Sequence, residues 1–253
     1  MFFSLGRGAV QELQSIFCRS LSLFHQQRYA EAETLLRDGL ERYDDDGQLR
    51  QLLGLVQNQT GAWQEALVSL ERASHLRPLE PSADYTLAMC YLWAGKRELG
   101  VLVLRRLATG RRTPLNLLPM VASTLGSLQE HALALAACRN ILRRDARRHD
   151  AQFGVGFYFR RLGLPRERYV AAFRRAHELA PRLGMYRIVL AGLVMEDGDD
   201  EEARDLLRGV SPAEVRCPGA VARLWKMFNS LGDSAAGAEC LKRLEELEDN
   251  TDS

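Results

Sequence analysis

The side chains able to do chemistry are few and badly spaced for it. The five histidines, His25, His75, His131, His149 and His177, never fall into a metal-binding spacing such as His-Glu-x-x-His. His75 and His177 sit near expected helix ends, where a partly charged imidazole would favour the helix dipole. Five cysteines, Cys18, Cys90, Cys138, Cys217 and Cys240, are odd in number and widely scattered, so they read as small buried hydrophobes rather than zinc ligands or a redox pair. The single Gly-x-Gly, Gly154-Val155-Gly156, falls inside a helical pattern with no strand before it and no Lys-Ser/Thr after it, which argues against a phosphate cradle. The carboxylate runs Asp44-Asp45-Asp46 and Asp197-Gly198-Asp199-Asp200-Glu201-Glu202 lack the twelve-residue calcium pattern and read as helix caps and solvated turns. No Ser, His and Asp set can be argued from order alone. The expectation is a protein that is not an enzyme and that needs no metal and no cofactor.

Charge is more informative than chemistry. The overall balance of +1 hides a division along the chain: residues 1–100 carry 10 basic and 13 acidic groups, residues 101–190 carry 17 Arg and 5 acids, and residues 191–253 carry 7 basic and 15 acidic groups. Arginine pairs recur through the middle, among them Arg105-Arg106, Arg143-Arg144, Arg160-Arg161 and Arg174-Arg175. Guanidinium forks suit carboxylate and phosphate oxygens, so this belt would attract an acidic protein, the acidic end of a second copy, or nucleic acid. Solvated arginine on outward helix faces remains the plain reading. Base-stacking platforms and nucleic-acid motifs are missing, which disfavours the last partner.

These side chains must be positioned by short helices. Across 253 residues with 46% hydrophobic content, no apolar run reaches the roughly 18 residues of a bilayer span, and no stretch alternates cleanly enough for a strand. The start, Met1 to Arg7, lacks the charged-then-apolar order of a secretory signal, so no membrane span and a cytoplasmic location are expected. A repeat then emerges. Ala32, Ala66, Gly100, Ala134, Tyr169, Ala203 and Gly237 follow one another at 34 or 35 residues, and a second mostly small column runs Ser20, Gly54, Ala88, Ala122, Gly156, Ala191, Trp225. Small residues let two helices approach closely. Larger apolar columns keep step: Leu36, Leu70, Leu104, Cys138, Phe173, Leu207, Leu241, and Leu53, Leu87, Val121, Val155, Leu190, Leu224, with Arg19 the polar exception in the first unit.

The second unit carries Leu53-Gly54, Gly61, Trp63, Ala66, Leu70, Ala73 and Pro78, and this set resembles the tetratricopeptide repeat. Phe173, Ala176 and Pro181 in the fifth unit are similar to its closing half. The resemblance spans 13–248 in about seven units, with 1–12 extending the first helix and 249–253 a disordered tail. It implies an all-α fold, a right-handed superhelical solenoid of antiparallel helix pairs. The pattern predicts helices over 8–26 with 29–42, 47–59 with 63–76, 81–94 with 97–109, 115–126 with 129–143, 147–162 with 165–179, 183–197 with 200–209, and 218–231 with 234–248.

In this family the first helix of each pair lines the inner, concave face, so the resemblance implies three inner columns. The first runs Phe17, Gln51, Tyr85, Pro119, Phe153, Ile188, Ala222, the second Leu21, Leu55, Met89, Ser123, Phe157, Gly192, Lys226, and the third Phe24, Asn58, Leu92, Gly126, Arg160, Met195, Asn229. A wall facing only water would be mostly polar, whereas eleven of these twenty-one residues are large and apolar: Phe17, Leu21, Phe24, Leu55, Tyr85, Met89, Leu92, Phe153, Phe157, Ile188 and Met195. Packing between neighbouring first helices, or cover by Phe2–Val10, is the alternative for any one of them. The set as a whole points to a partner-binding groove made by Phe17, Leu21, Phe24, Gln51, Leu55, Asn58, Tyr85, Met89, Leu92, Phe153, Phe157 and Arg160, gripping a protein or peptide. The carboxylate clamp of chaperone-tail-binding members is disfavoured, since Phe17, Leu21, Leu52, Ser82 and Thr86 stand where Lys, Asn and Arg would be needed. The expected function is a protein-interaction adaptor or chaperone-like scaffold, with an acidic-partner or nucleic-acid binder using the arginine belt as the alternative and self-association possible.

Overall fold

The computed structural model describes residues 7–249, so the reading of 1–6 as part of a helix extension and of 250–253 as a disordered tail lies outside the described residues, whereas Asp249, expected in that tail, is the last residue of a helix. Among them are fourteen α-helices, one short 3-10 turn and no strand. In chain order the helices are α1 Arg7–His25, α2 Tyr29–Arg42, α3 Gly47–Gln59, α4 Trp63–Leu76, α5 Pro81–Trp93, α6 Arg97–Thr109 and α7 Leu118–Ser127. They continue as α8 His131–Arg144, α9 His149–Arg161, α10 Arg166–Leu179, α11 Gly184–Glu196, α12 Asp200–Leu207, α13 Pro218–Ser230 and α14 Ser234–Asp249. The chain divides into a first unit ending at Ala137 and a second starting at Cys138, with the division inside α8.

Short polar turns set the helix ends. The Asp46 carboxylate accepts the N–H groups of Gln48 and Leu49, and Asp199 accepts that of Glu202, so both acidic runs supply N-caps as expected. Prolines stand in the first turns of α5, α7 and α13, where a missing N–H costs nothing. Among the boundaries that differ from expectation, two have a visible local cause. The helix expected from 115 starts at Leu118, because Thr113 turns back to cap the Leu107 carbonyl and residues 115–117 form a turn after Pro114. The helix expected to reach 209 stops at Leu207, where Gly209 takes a left-handed φ of 74°, and a 3-10 turn at Pro212–Glu214 fills the connection.

One column was not visible as a column in the sequence. Six of the seven turns inside a helix pair contain three residues, and each has its middle residue at positive φ: Gln27, Gly61, Gly95, Gln129, Gly198 and Gly232. The turn between α9 and α10 has four residues, 162–165, with Gly163 in the same state. That additional residue is the source of the single 35-residue step in each small column.

Packing follows the columns. In the first unit Ala32, Ala66, Leu36, Leu70 and Leu104 are fully buried. A Cβ on Gly54 would lie 2.6 Å from Leu70 Cγ, so α3 and α4 meet there only because the position is glycine. In the second unit a Cβ on Gly156 would fall 2.9 Å from the Phe173 ring and one on Gly154 would fall 2.7 Å from Cys138 Sγ, which makes the Gly-x-Gly a helix-packing device. Gln57, a polar side chain of α3, is buried and satisfied by the Ser69 hydroxyl, which donates to its Oε1 at 2.7 Å. One column member and two cysteines break the expected pattern. Leu241 is 47% exposed because no described helix follows α14 to cover it, and Cys240 beside it takes the core position. Cys18 and Cys217 are exposed, unlike Cys90, Cys138 and Cys240, whose thiols burial pushes up to about 11, 12 and 11.

Candidate partner-binding surfaces

In the first unit the expected inner columns come from α1, α3, α5 and α7, the last contributing only Pro119, Ser123 and Gly126. Phe17, Leu21 and Phe24 lie along one stripe of α1, half-buried against the cluster around Ile16, Leu36 and Leu49. Leu55 is half-buried against the cluster of Leu67, Leu70 and Leu87. Leu53 and Leu87, on the columns that face neighbouring helices, are by contrast fully inside. Met89 and Leu92 are also half-buried, and Leu92 lies where a Cβ on Gly100 would touch it. Tyr85 shares a hydrogen bond with Thr124 at 3.0 Å, tying α5 to α7. Two polar members differ in role. Gln51 Oε1 accepts the Glu80 N–H at 3.0 Å and so secures the start of α5, whereas the buried Oδ1 of Asn58 has no protein partner. A cavity of about 860 Å³ in this unit lies elsewhere, between α2, α3 and α4, over Leu40, Leu53 and Val68 with Arg37, Arg50 and Arg72 at its sides.

In the second unit Phe153, Phe157 and Arg160 meet at one place. Phe153 stacks on Tyr186, with ring centres 4.7 Å apart, and packs against Phe173 at 5.0 Å. Phe157 is 40% exposed, with the Arg161 guanidinium over its ring at 5.2 Å. Around them is a pocket of about 490 Å³ lined by Phe153, Phe157, Phe173 and Val189 with Arg160, Arg161 and Arg223. Ile188, expected on the inner face, belongs instead to the core at 1% exposure, and its neighbour Val189 lines the pocket. Val189 and Arg223 each lie one residue past the inner column that was followed, so the signal for them was a register step of one. Phe173 was read only as core. Arg161 was visible only as half of an arginine pair.

Much of the arginine belt in this unit is already engaged. Arg166 binds Asp197 and Glu196 at 2.9 and 2.8 Å and donates to the Leu193 carbonyl at 2.6 Å. Arg174 holds Glu202 with both guanidinium arms, and Arg187 caps the carbonyls of Leu206 and Arg208. The chain-wide charge division is thus partly consumed between consecutive helix pairs. His177 also departs from expectation. Its Nδ1 is buried without a partner, and burial followed by Arg187 lowers its pKa, opposite to the partly charged imidazole expected at a helix end. No group of three or more His, Cys, Asp or Glu able to hold a metal ion occurs among the described residues.

No protein-family model matches the chain, and no curated protein matches it in sequence. Solved structures do. The C-terminal part of a TPR repeat-containing protein from Cytophaga hutchinsonii shares 13% identity at a TM-score of 0.65, covering 91% of this chain and 95% of that one. A tetratricopeptide repeat protein from Parabacteroides merdae shares 18% identity at 0.59, over 94% and 93%. The fold is that of a tetratricopeptide-repeat protein. YrrB, described as a TPR protein with an unusual peptide-binding site, matches at 15% identity and 0.55, over 68% of this chain and 88% of its own. The tetratricopeptide pairing accounts for the small columns, and no helix among the described residues is long and apolar enough to cross a membrane.

Proposed function

We propose that this chain is a protein-interaction scaffold that holds a segment of a partner protein against the inner stripes of its first helices. The observation that carries this reading is the split between columns. Leu53, Leu87 and Val121, facing neighbouring helices, are buried, while Leu21, Leu55 and Met89 on the expected inner stripes of the same unit keep part of their apolar surface open to water. Leaving large apolar side chains half-wet forgoes roughly 25 cal/mol for each Å² not covered, which a bound partner would recover. Peptide binding by YrrB is in keeping with such a use of the fold. Under this reading the protein works in assembly, as an adaptor or chaperone in the cytoplasm, and performs no reaction of its own.

Changing Tyr85 and Met89 together to Ser tests it. Partner capture should weaken by about 2 kcal/mol or more, as when a hot spot is removed. The melting midpoint should shift less than after a fully buried large-to-small change, which costs about 2–5 kcal/mol. A double variant that unfolds, while its folded fraction still captures the partner normally, would sink the groove.

A further inference from the structure

We infer that the second-unit pocket is an anchor site for an acidic peptide segment, taking one aromatic or large aliphatic side chain flanked by Asp or Glu. This rests on the scaffold reading and specifies the partner at one place.

The pocket joins two unlike features. Its floor is apolar: Phe153 is fixed by its stack on Tyr186 and its contact with Phe173, and Val189 continues the surface. At about 490 Å³ it is large enough for one bulky side chain with its backbone. The rim is cationic, with Arg160, Arg161 and Arg223 and no carboxylate in the lining. Nearby on α10, by contrast, Arg166 and Arg174 are neutralised by Glu196, Asp197 and Glu202. Arg161 and Arg223 have no carboxylate partner among the described residues, and Arg160 reaches only Glu196, at 3.5 Å, a group that Arg166 already holds at 2.8 Å. Three guanidiniums around an apolar floor leave positive potential where a partner would bury it, and incoming carboxylates would complete the forks.

A nucleic acid fits less well. Base stacking needs free ring faces, and Phe153 has one face covered by Tyr186 while Arg161 lies over Phe157. An acidic peptide uses the arginines and the concave floor together.

A random dodecapeptide display library selected on the full chain is the first probe. It should enrich peptides with Phe, Trp or Leu next to Asp or Glu. The enriched peptide, dye-labelled and titrated by anisotropy, should bind about tenfold or more weakly to the Arg161→Ala/Arg223→Ala double variant and about fivefold more weakly to Phe157→Ala. Both arginines are exposed and form no ion pair among the described residues, so the double variant should keep a melting midpoint close to the wild-type value. Arg168→Ala, removing an exposed arginine of α10 outside the pocket lining, should leave affinity unchanged. Enrichment with no acidic bias, or equal affinity for the double variant, overturns the proposal. So does a labelled oligouridylate whose binding is lost in that variant while no peptide is enriched. If Tyr85→Ser/Met89→Ser loses partner capture but the arginine variant keeps full peptide affinity, the scaffold stands and this anchor falls.

Discussion

The two units solve one packing problem with different side chains, and the difference shows where binding capacity arises. In the first, small residues oppose leucines, as Gly54 opposes Leu70, and each leucine is consumed entirely at its helix crossing. In the second, Gly156 opposes Phe173, whose larger ring extends past the crossing to meet Phe153, which in turn stacks on Tyr186. An aromatic relay therefore connects the interior of the second unit to the floor of its pocket. Changes to the first unit's interior should register as stability alone, whereas changes to the second unit's interior should also register at the binding surface.

Phe173→Ala probes that link most severely. Loss of a buried aromatic should cost about 3–5 kcal/mol in denaturant unfolding, and the folded remainder should show weakened peptide binding at the pocket. Leu70→Ala in the first unit should cost about 2–5 kcal/mol with pocket affinity unchanged in the folded protein. Equal pocket affinity in the two variants would remove the relay.

A smaller effect is expected from overfilling the first unit. Ala66 is fully buried, so Ala66→Leu should destabilise by about 1–3 kcal/mol, read as a lowered melting midpoint. An unchanged midpoint would mean that the column is not at a crossing.

How much of this was legible beforehand follows from what repeats with the period. Helices and core columns repeat, and all seven pairs stand where the period puts them. Whether one inner residue stays open does not repeat, because it depends on the next first helix: Ile188 disappears into the core while Phe157 remains exposed. The pocket was half legible for the same reason, since Phe153, Phe157 and Arg160 share α9 whereas Val189 and Arg223 arrive on α11 and α13. The turn column escaped notice because Gln27 and Gln129 hide a backbone state that glycine marks elsewhere.

That state gives a finer test in the first unit. Gln129 holds a φ of 63°, so Gln129→Gly should relieve left-handed strain and stabilise by up to about 1 kcal/mol, less the entropy that glycine adds to the unfolded chain. A lower melting midpoint for the variant would show that side-chain contacts of Gln129 outweigh its strain.

The smallest effect belongs to His177 in the second unit. Burial lowers its folded pKa below that of the unfolded chain, so its contribution is present above the unfolded value and is lost as pH falls below about 6.5. His177→Gln should flatten the stability profile between about pH 7 and pH 5. An unaltered slope would mean that the imidazole titrates alike in both states.

The shared turn geometry also makes repeat number an editable quantity. Gly61 and Gly95 occupy equivalent backbone states 34 residues apart, so deleting residues 62–95 would join the end of one hairpin turn to the start of the next second helix with the same local dihedrals. A chain shortened by one such period should retain its helix content per residue in circular dichroism, because each helix pair depends chiefly on its immediate neighbours. In genetic terms, tandem duplication or loss in this region would change the length of the binding surface without requiring a new fold.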